Sequence, residues 1–119
     1  MYSIKKETLE SIIIAAKNIY PNEFFSFLGG ENKIINELVI VPATYGDKFC
    51  LFRLDLVPHD PKIIGTVHSH PSIYNTPSKA DLDSFRKKGK VHLIIGHPYD
   101  LNTLKAFDNT GKELEIQVI

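Results

Sequence analysis

The order of elements in this sequence predicts an α/β or α+β domain in which one β-sheet is flanked by two helices. Three observations carry that expectation. An amphipathic helical pattern opens the chain and a second, shorter one follows Pro77. Between and after them lie short Ile- and Val-rich runs punctuated by Gly and Pro. One of these runs, Val91 to Gly96, is almost continuously apolar, which suits a central strand buried on both faces. The 119 residues, 43% hydrophobic and 24% charged, make one domain spanning 1–119 with a core of its own.

Glu7 to Tyr20 places Leu9, Ile12, Ile13, Ala16, Ile19 and Tyr20 on one helical face, and Pro21 stops the helix. Phe24 to Gly29 is a short strand ended by Gly29-Gly30, and Lys33 to Val41 pairs with it as a hairpin across Glu31-Asn32. Pro42 to Lys48 reads as a loop. Phe49 to Leu56 alternates Phe52, Leu54 and Leu56 against Arg53 and Asp55, the pattern of a half-buried strand. Ile63 to His68 is a further strand, and Pro71 to Pro77 a loop with two prolines. Ser78 to Lys87 is a short helix with Ser78 at its N-cap and Asp81 at the capping-box spacing. After the Val91 strand, Thr103 to Phe107 and Glu113 to Ile119 form a closing hairpin across Asp108-Asn109-Thr110-Gly111.

Lys+Arg and Asp+Glu number 14 each, so the net charge is zero, which argues against a dedicated nucleic-acid or anionic-membrane binder though not against a local basic patch. Cys50 is the single cysteine, which rules out an intrachain disulfide and a cysteine-only zinc site and fits a reducing, cytoplasmic setting. No apolar run approaches a membrane span, and Met1 to Glu10 lacks the pattern of a signal peptide.

The chemistry gathers at His68-Ser69-His70. Residues i and i+2 of a strand point the same way, about 6.6 Å apart along the chain, so two imidazoles can converge on one ion. Asp81 follows eleven residues after His70, in the first turn of a helix that the intervening loop can fold back over the strand end. Two His and one carboxylate, with a fourth position left open, form the ligand pattern of a catalytic zinc site. Each piece alone has a simpler reading: surface histidines, an N-cap at Ser78, a first-turn acid at Asp81. Together, H-x-H-x7-S-x2-D arises by chance in on the order of one such chain in a thousand of this composition.

His68-Ser69-His70-Pro71 followed by Ser78-x-x-Asp81 resembles the motif of the JAMM (MPN+) metalloproteases, and Tyr20 to Gly30 resembles the segment that carries that family's upstream glutamate, with Glu23 in its place. Ser26 stands where the family often has glycine. The resemblance covers nearly the whole chain and matches the compact prokaryotic, archaeal-like members. It implies an α/β MPN-type (cytidine-deaminase-like) domain, a mixed sheet flanked by two helices. It also implies a zinc isopeptidase, with one Zn²⁺ per chain held by His68, His70 and Asp81. Glu23 is then the general base toward a zinc-activated water, and Ser78 the donor to the oxyanion, a role with which N-capping by the same hydroxyl competes. The implied partner is the tail of a ubiquitin-like or sulfur-carrier protein, cut after its Gly-Gly. The alternative is a catalytically inactive MPN scaffold in a protein assembly, against which all five residues are present.

His92, inside an apolar run, is read as a core or sheet-face residue, His97, before Pro98 at a strand end, as having about one chance in five of lining the site, and His59 as solvated. Cys50 lacks a cysteine-protease signature and reads as a small buried hydrophobe. Arg86 to Lys90 reads as a solvated helix end. A nucleobase deaminase needs a Cys-x-x-Cys pair, which one cysteine excludes.

Overall fold

In the computed structural model, which describes residues 1–39, 43–45, 50–52, 62–85 and 89–119, β1 (Tyr2–Ile4) leads directly into α1 (Lys6–Ile19). Helix α1 buries Thr8, Leu9, Ile12 and Ala16, the face expected from its periodicity, with Glu7 in the first turn and Lys17 in the last to complement its dipole. Past Pro21 come β2 (Phe25–Glu31) and β3 (Ile34–Val39), joined by a tight turn at Asn32 and Lys33, whose φ angles are 53° and 62°. Two central residues with positive φ match the twist of the flanking strands.

The short strands β4 (Ala43–Tyr45) and β5 (Cys50–Phe52) form a separate antiparallel pair. Then follow β6 (Ile63–His70), α2 (Lys79–Phe85), β7 (Val91–Gly96), a 3-10 turn at Leu101–Thr103, β8 (Leu104–Phe107), β9 (Glu113–Leu114) and β10 (Ile116–Val118). The main sheet has the order β10-β1-β3-β2-β6-β7-β8-β9. It is mixed: β1 runs parallel to β3 and β10, β6 parallel to β7, and the remaining pairs are antiparallel. Its terminal strands β9 and β10 are separated in the chain by Glu115 alone, so the sheet curls round toward a barrel.

Side-chain parity shows how the helices cover this sheet. Val91, Leu93 and Ile95 of β7 join Val67, Leu28, Ile35 and the α1 residues in the larger core cluster. Ile94 joins Phe85 and Phe107, with Leu82 packed against them, on the α2 side. Odd residues of β7 therefore meet α1 and even ones α2, because successive side chains of a strand face opposite ways. This is the α/β form of the expected architecture.

Beyond shifts of a residue or two at element ends, four features differ from the sequence reading. Tyr2–Ile4 is a strand, three residues too short to show a period and held by pairing on both sides. The expected loop Pro42–Lys48 contains β4, which exists by pairing with β5. The arm Glu113–Ile119 splits at Glu115: β9 pairs with β8, while β10 crosses to β1. The Thr103 strand begins instead at Leu104, because Asp100 caps the 3-10 turn through the backbone N–H of Thr103. Residues 53–56, His59 and 86–88 lie outside the described residues, as do the side chains of β4 and β5, including Cys50.

Candidate metal centre

Parity also builds the site. Val67 of β6 faces the α1 core, so His68 and His70 face the α2 side together. Strand β2 runs antiparallel to β6 with Phe25 opposite His68. Glu23 lies two residues before Phe25, on the same parity, and its carboxylate oxygen and one nitrogen of each of His68 and His70 all lie within 4.8 Å of one another. On the other side α2 delivers Asp81. Its Oδ1 is 3.2 Å from His68 Nε2, and its Oδ2 is 3.3 Å from His70 Nε2. The two Nε2 atoms are 3.0 Å apart.

The loop between β6 and α2 fixes these groups. His70 Nδ1 lies 2.9 Å from the carbonyl of Tyr74. A carbonyl only accepts, so Nδ1 carries the hydrogen, and in neutral His70 the Nε2 lone pair points at His68 and Asp81. This outer hydrogen bond is the usual means of orienting a metal-ligating imidazole. Gly96 lets the loop approach the end of β7: a Cβ there would stand 2.8 Å from the Ser72 carbonyl, which accepts the His97 N–H. A capping box holds the start of α2, the Ser78 N–H donating to Asp81 Oδ2 at 2.8 Å and the Asp81 N–H to Ser78 Oγ at 3.2 Å.

Burial and charge act in opposite directions here. Burial pushes the Glu23 carboxyl above its ordinary value, partly offset by His68 and His70. Burial alone would raise Asp81, but hydrogen bonds from His68 and His70 hold it far below the usual carboxylate range. Burial would depress His70, yet its bonds to Asp81 and the Tyr74 carbonyl raise it.

The donors fit zinc. With bonds of 2.0–2.1 Å, adjacent ligands of a tetrahedral ion stand about 3.3 Å apart. The contacts of 3.0, 3.2 and 3.3 Å among His68, His70 and Asp81 lie near that edge. Two imidazole nitrogens and a carboxylate turned toward one point make a donor set that a single zinc ion can use.

A family model described as prokaryotic homologs of the JAB domain matches residues 5–110. The chain belongs to this family. A Haloferax volcanii protein named a probable metalloprotease is 35% identical over 98% of this chain and 78% of its own length. A solved structure described as JAMM, a metalloprotease-like zinc site in the proteasome and signalosome, superposes with a TM-score of 0.81 at 34% identity, covering 100% of this chain and 98% of the other. A JAB1/MPN domain protein from Archaeoglobus fulgidus gives 0.79 at 34% identity, covering 100% and 97%. A Desulfitobacterium hafniense protein, at 21% identity and 0.64, covering 100% and 93%, shares the fold. The JAB-domain chain thus has a JAMM/MPN+ zinc-metalloprotease-like fold, and its Glu23, His68, His70 and Asp81 form the constellation of a zinc-dependent hydrolase.

The structure brings together every residue singled out from the motif. His92 is a buried structural residue: it contacts Thr66 Oγ1 and Asn109 Oδ1, each at 2.7 Å, and stacks on Phe85 at 4.1 Å. His97 packs its ring between Tyr20 and Tyr99, at 4.8 and 5.4 Å, beside the site and not among its donors. The sequence reading missed the Tyr74 carbonyl and the Ser69 hydroxyl. Backbone acceptors leave no trace in sequence, and Ser69 shows itself only as the small residue between two histidines. Ser26, in the place of the family's glycine, is buried and its hydroxyl donates to the Val39 carbonyl at 3.2 Å.

Proposed function

We propose that this chain is a zinc metallo-isopeptidase or peptidase that cuts after the C-terminal Gly-Gly of a ubiquitin-like or sulfur-carrier protein. The observation that carries the hydrolytic reading is the placement of a partly buried carboxylate, Glu23, beside the two imidazoles that Asp81 also contacts. In this reading His68, His70 and Asp81 would hold one Zn²⁺, which would supply Lewis-acid chemistry and acidify a water to a pKa of about 7. Glu23 takes the proton of the attacking water and returns it to the leaving amine, a task suited to a carboxyl raised by burial. The Ser78 cap uses a lone pair of Oγ, so its O–H stays free to donate to the developing oxyanion. Capping through a lone pair and oxyanion donation through the O–H are thus chemically compatible. The relative named a probable metalloprotease supports the class of reaction.

Substrate choice rests on a physical argument. Strand β6 has a neighbour on each side, so a tail cannot pair with it as an added strand. The loop from Pro71 to Pro77 carries Ile73 and Tyr74, both more than two-thirds exposed, as the wall a tail meets. A backbone that must pass close to the metal favours glycine before the scissile bond. The single cysteine, Cys50, is the ground for placing the activity in the cytoplasm. The test is incubation of the zinc-loaded protein with ubiquitin-like conjugates and C-terminally extended precursors, products read by mass. Cleavage after Gly-Gly is expected, and replacing both glycines by valine should abolish it. Equal turnover of the two substrates refutes the steric argument.

A further inference from the structure

Glu23 lies outside regular structure, just before β2 begins, so something other than a helix or ladder must aim it. Continued one residue past the Phe25–His68 pair, the antiparallel register brings Phe24 beside Ser69 of β6. The Ser69 N–H donates to the Phe24 carbonyl at 2.9 Å, as a ladder requires. The return bond is different: the Phe24 N–H donates to Ser69 Oγ at 2.7 Å, where a regular antiparallel pair would use the Ser69 carbonyl. A side-chain hydroxyl therefore terminates the ladder at the point where the chain must leave the sheet and turn Glu23 toward the imidazoles.

We propose that Ser69 is a positioning residue for Glu23, its hydroxyl clamping the backbone of Phe24 so that the carboxylate faces the metal centre. Ser69 is fully buried and Phe24 nearly so, at 6% exposure, so no solvent replaces the acceptor. Ser69 shares the parity of Val67, and its side chain stands on the α1 face, away from His68 and His70. Its hydroxyl acts on the site through residue 24. Without it the Phe24 N–H is left buried and unpaired, and the segment shifts to find a partner. Displacing a catalytic group by about 1 Å lowers turnover about 100-fold. The inference rests on the reading of Glu23 as the base.

The test compares Ser69→Ala, Ser69→Thr and Glu23→Gln, singly and with the Ala and Gln changes combined, on a ubiquitin-like protein extended by a short peptide after its Gly-Gly. Ser69→Ala is expected to bind one zinc, to lose kcat by roughly 10–100-fold with KM within about twofold, and to exchange the Phe24 amide hydrogen faster. Ser69→Thr keeps the acceptor and should restore both rate and protection. In the Glu23→Gln background, Ser69→Ala should change nothing further, because an aim without a base has no effect. A wild-type kcat or an unchanged Phe24 amide in Ser69→Ala overturns the proposal, as does a loss that multiplies with that of Glu23→Gln. Should Ser69→Ala not fold, Ser69→Cys leaves no cavity, weakens the acceptor and carries the same comparison. Near-full activity of Glu23→Gln itself defeats the reading of the base, a result separate from any effect at Ser69.

Discussion

Ser78 carries two duties that a pair of substitutions can separate. Its Oγ accepts the Asp81 N–H at 3.2 Å, and its O–H is the donor assigned to the oxyanion. Ser78→Ala removes both. Loss of the cap costs about 1 kcal/mol of stability, or a fall of roughly 3–6 °C in Tm for a chain of this size. Loss of an oxyanion donor costs about 10²–10³ in kcat, near 2.7–4 kcal/mol. Ser78→Gly removes the donor just as completely, but glycine at an N-cap costs only a few tenths of a kcal/mol relative to serine. The Ser78 backbone N–H still holds Asp81 Oδ2 in both variants, so the metal ligand keeps its support. The expected outcome is that the two variants lose kcat equally while Ser78→Gly melts a few degrees above Ser78→Ala. Steady-state kinetics on an extended Gly-Gly substrate and thermal melts of the same preparations measure both. If Ser78→Gly recovers rate along with stability, the serine is a cap and the oxyanion role is wrong.

Other consequences are equally direct. Glu23→Gln should keep its zinc and lose about 10²–10⁴ in turnover, measured by kcat on the same substrate; near-full activity makes Glu23 a bystander. Burial, partly opposed by the bond to Asn109, lowers the pKa of His92 below its ordinary 6.5 in the folded protein. The unfolded chain therefore gains this proton first: stability is full above about pH 6.5 and falls as pH drops toward the folded value. Melts from pH 7.5 to 5.5 should show a shallower slope in His92→Gln than in wild type, and identical slopes would remove His92 from the linkage. Among the described residues, the Tyr99 hydroxyl is a buried polar atom without a hydrogen-bond partner. Tyr99→Phe should then raise stability by about 1 kcal/mol, and a lower melting temperature would mean that the hydroxyl has a partner in solution.

The parts of this molecule legible in its sequence are those with a local period or a fixed spacing. Helix α1 announced itself through Leu9, Ile12 and Ala16, and β7 through its apolar run, interrupted at His92. The donor set was legible because parity puts His68 and His70 on one face and because Ser78 and Asp81 form a capping box wherever a helix begins there. What was hidden depends on partners distant in the chain. Tyr2–Ile4 is a strand because Ile116–Val118 and Ile34–Ile35 lie on either side of it. The break at Glu115 follows from the curl of the sheet, which no seven-residue window contains. Glu23 could be proposed only from family resemblance; its approach to the histidines depends on a strand register that joins Phe25 to His68 across more than forty residues.

The central claim is that His68, His70 and Asp81 hold the metal while Glu23 stands beside it as the base. Both carboxylates approach the same two imidazoles, so geometry alone admits either as a ligand. Zinc content per chain, measured after gel filtration in wild type, His68→Ala, His70→Ala, Asp81→Ala and Glu23→Gln, separates them. The account expects about one zinc in wild type and in Glu23→Gln, and little in the other three. Equal zinc in all five proteins, or loss in Glu23→Gln with retention in Asp81→Ala, would contradict it.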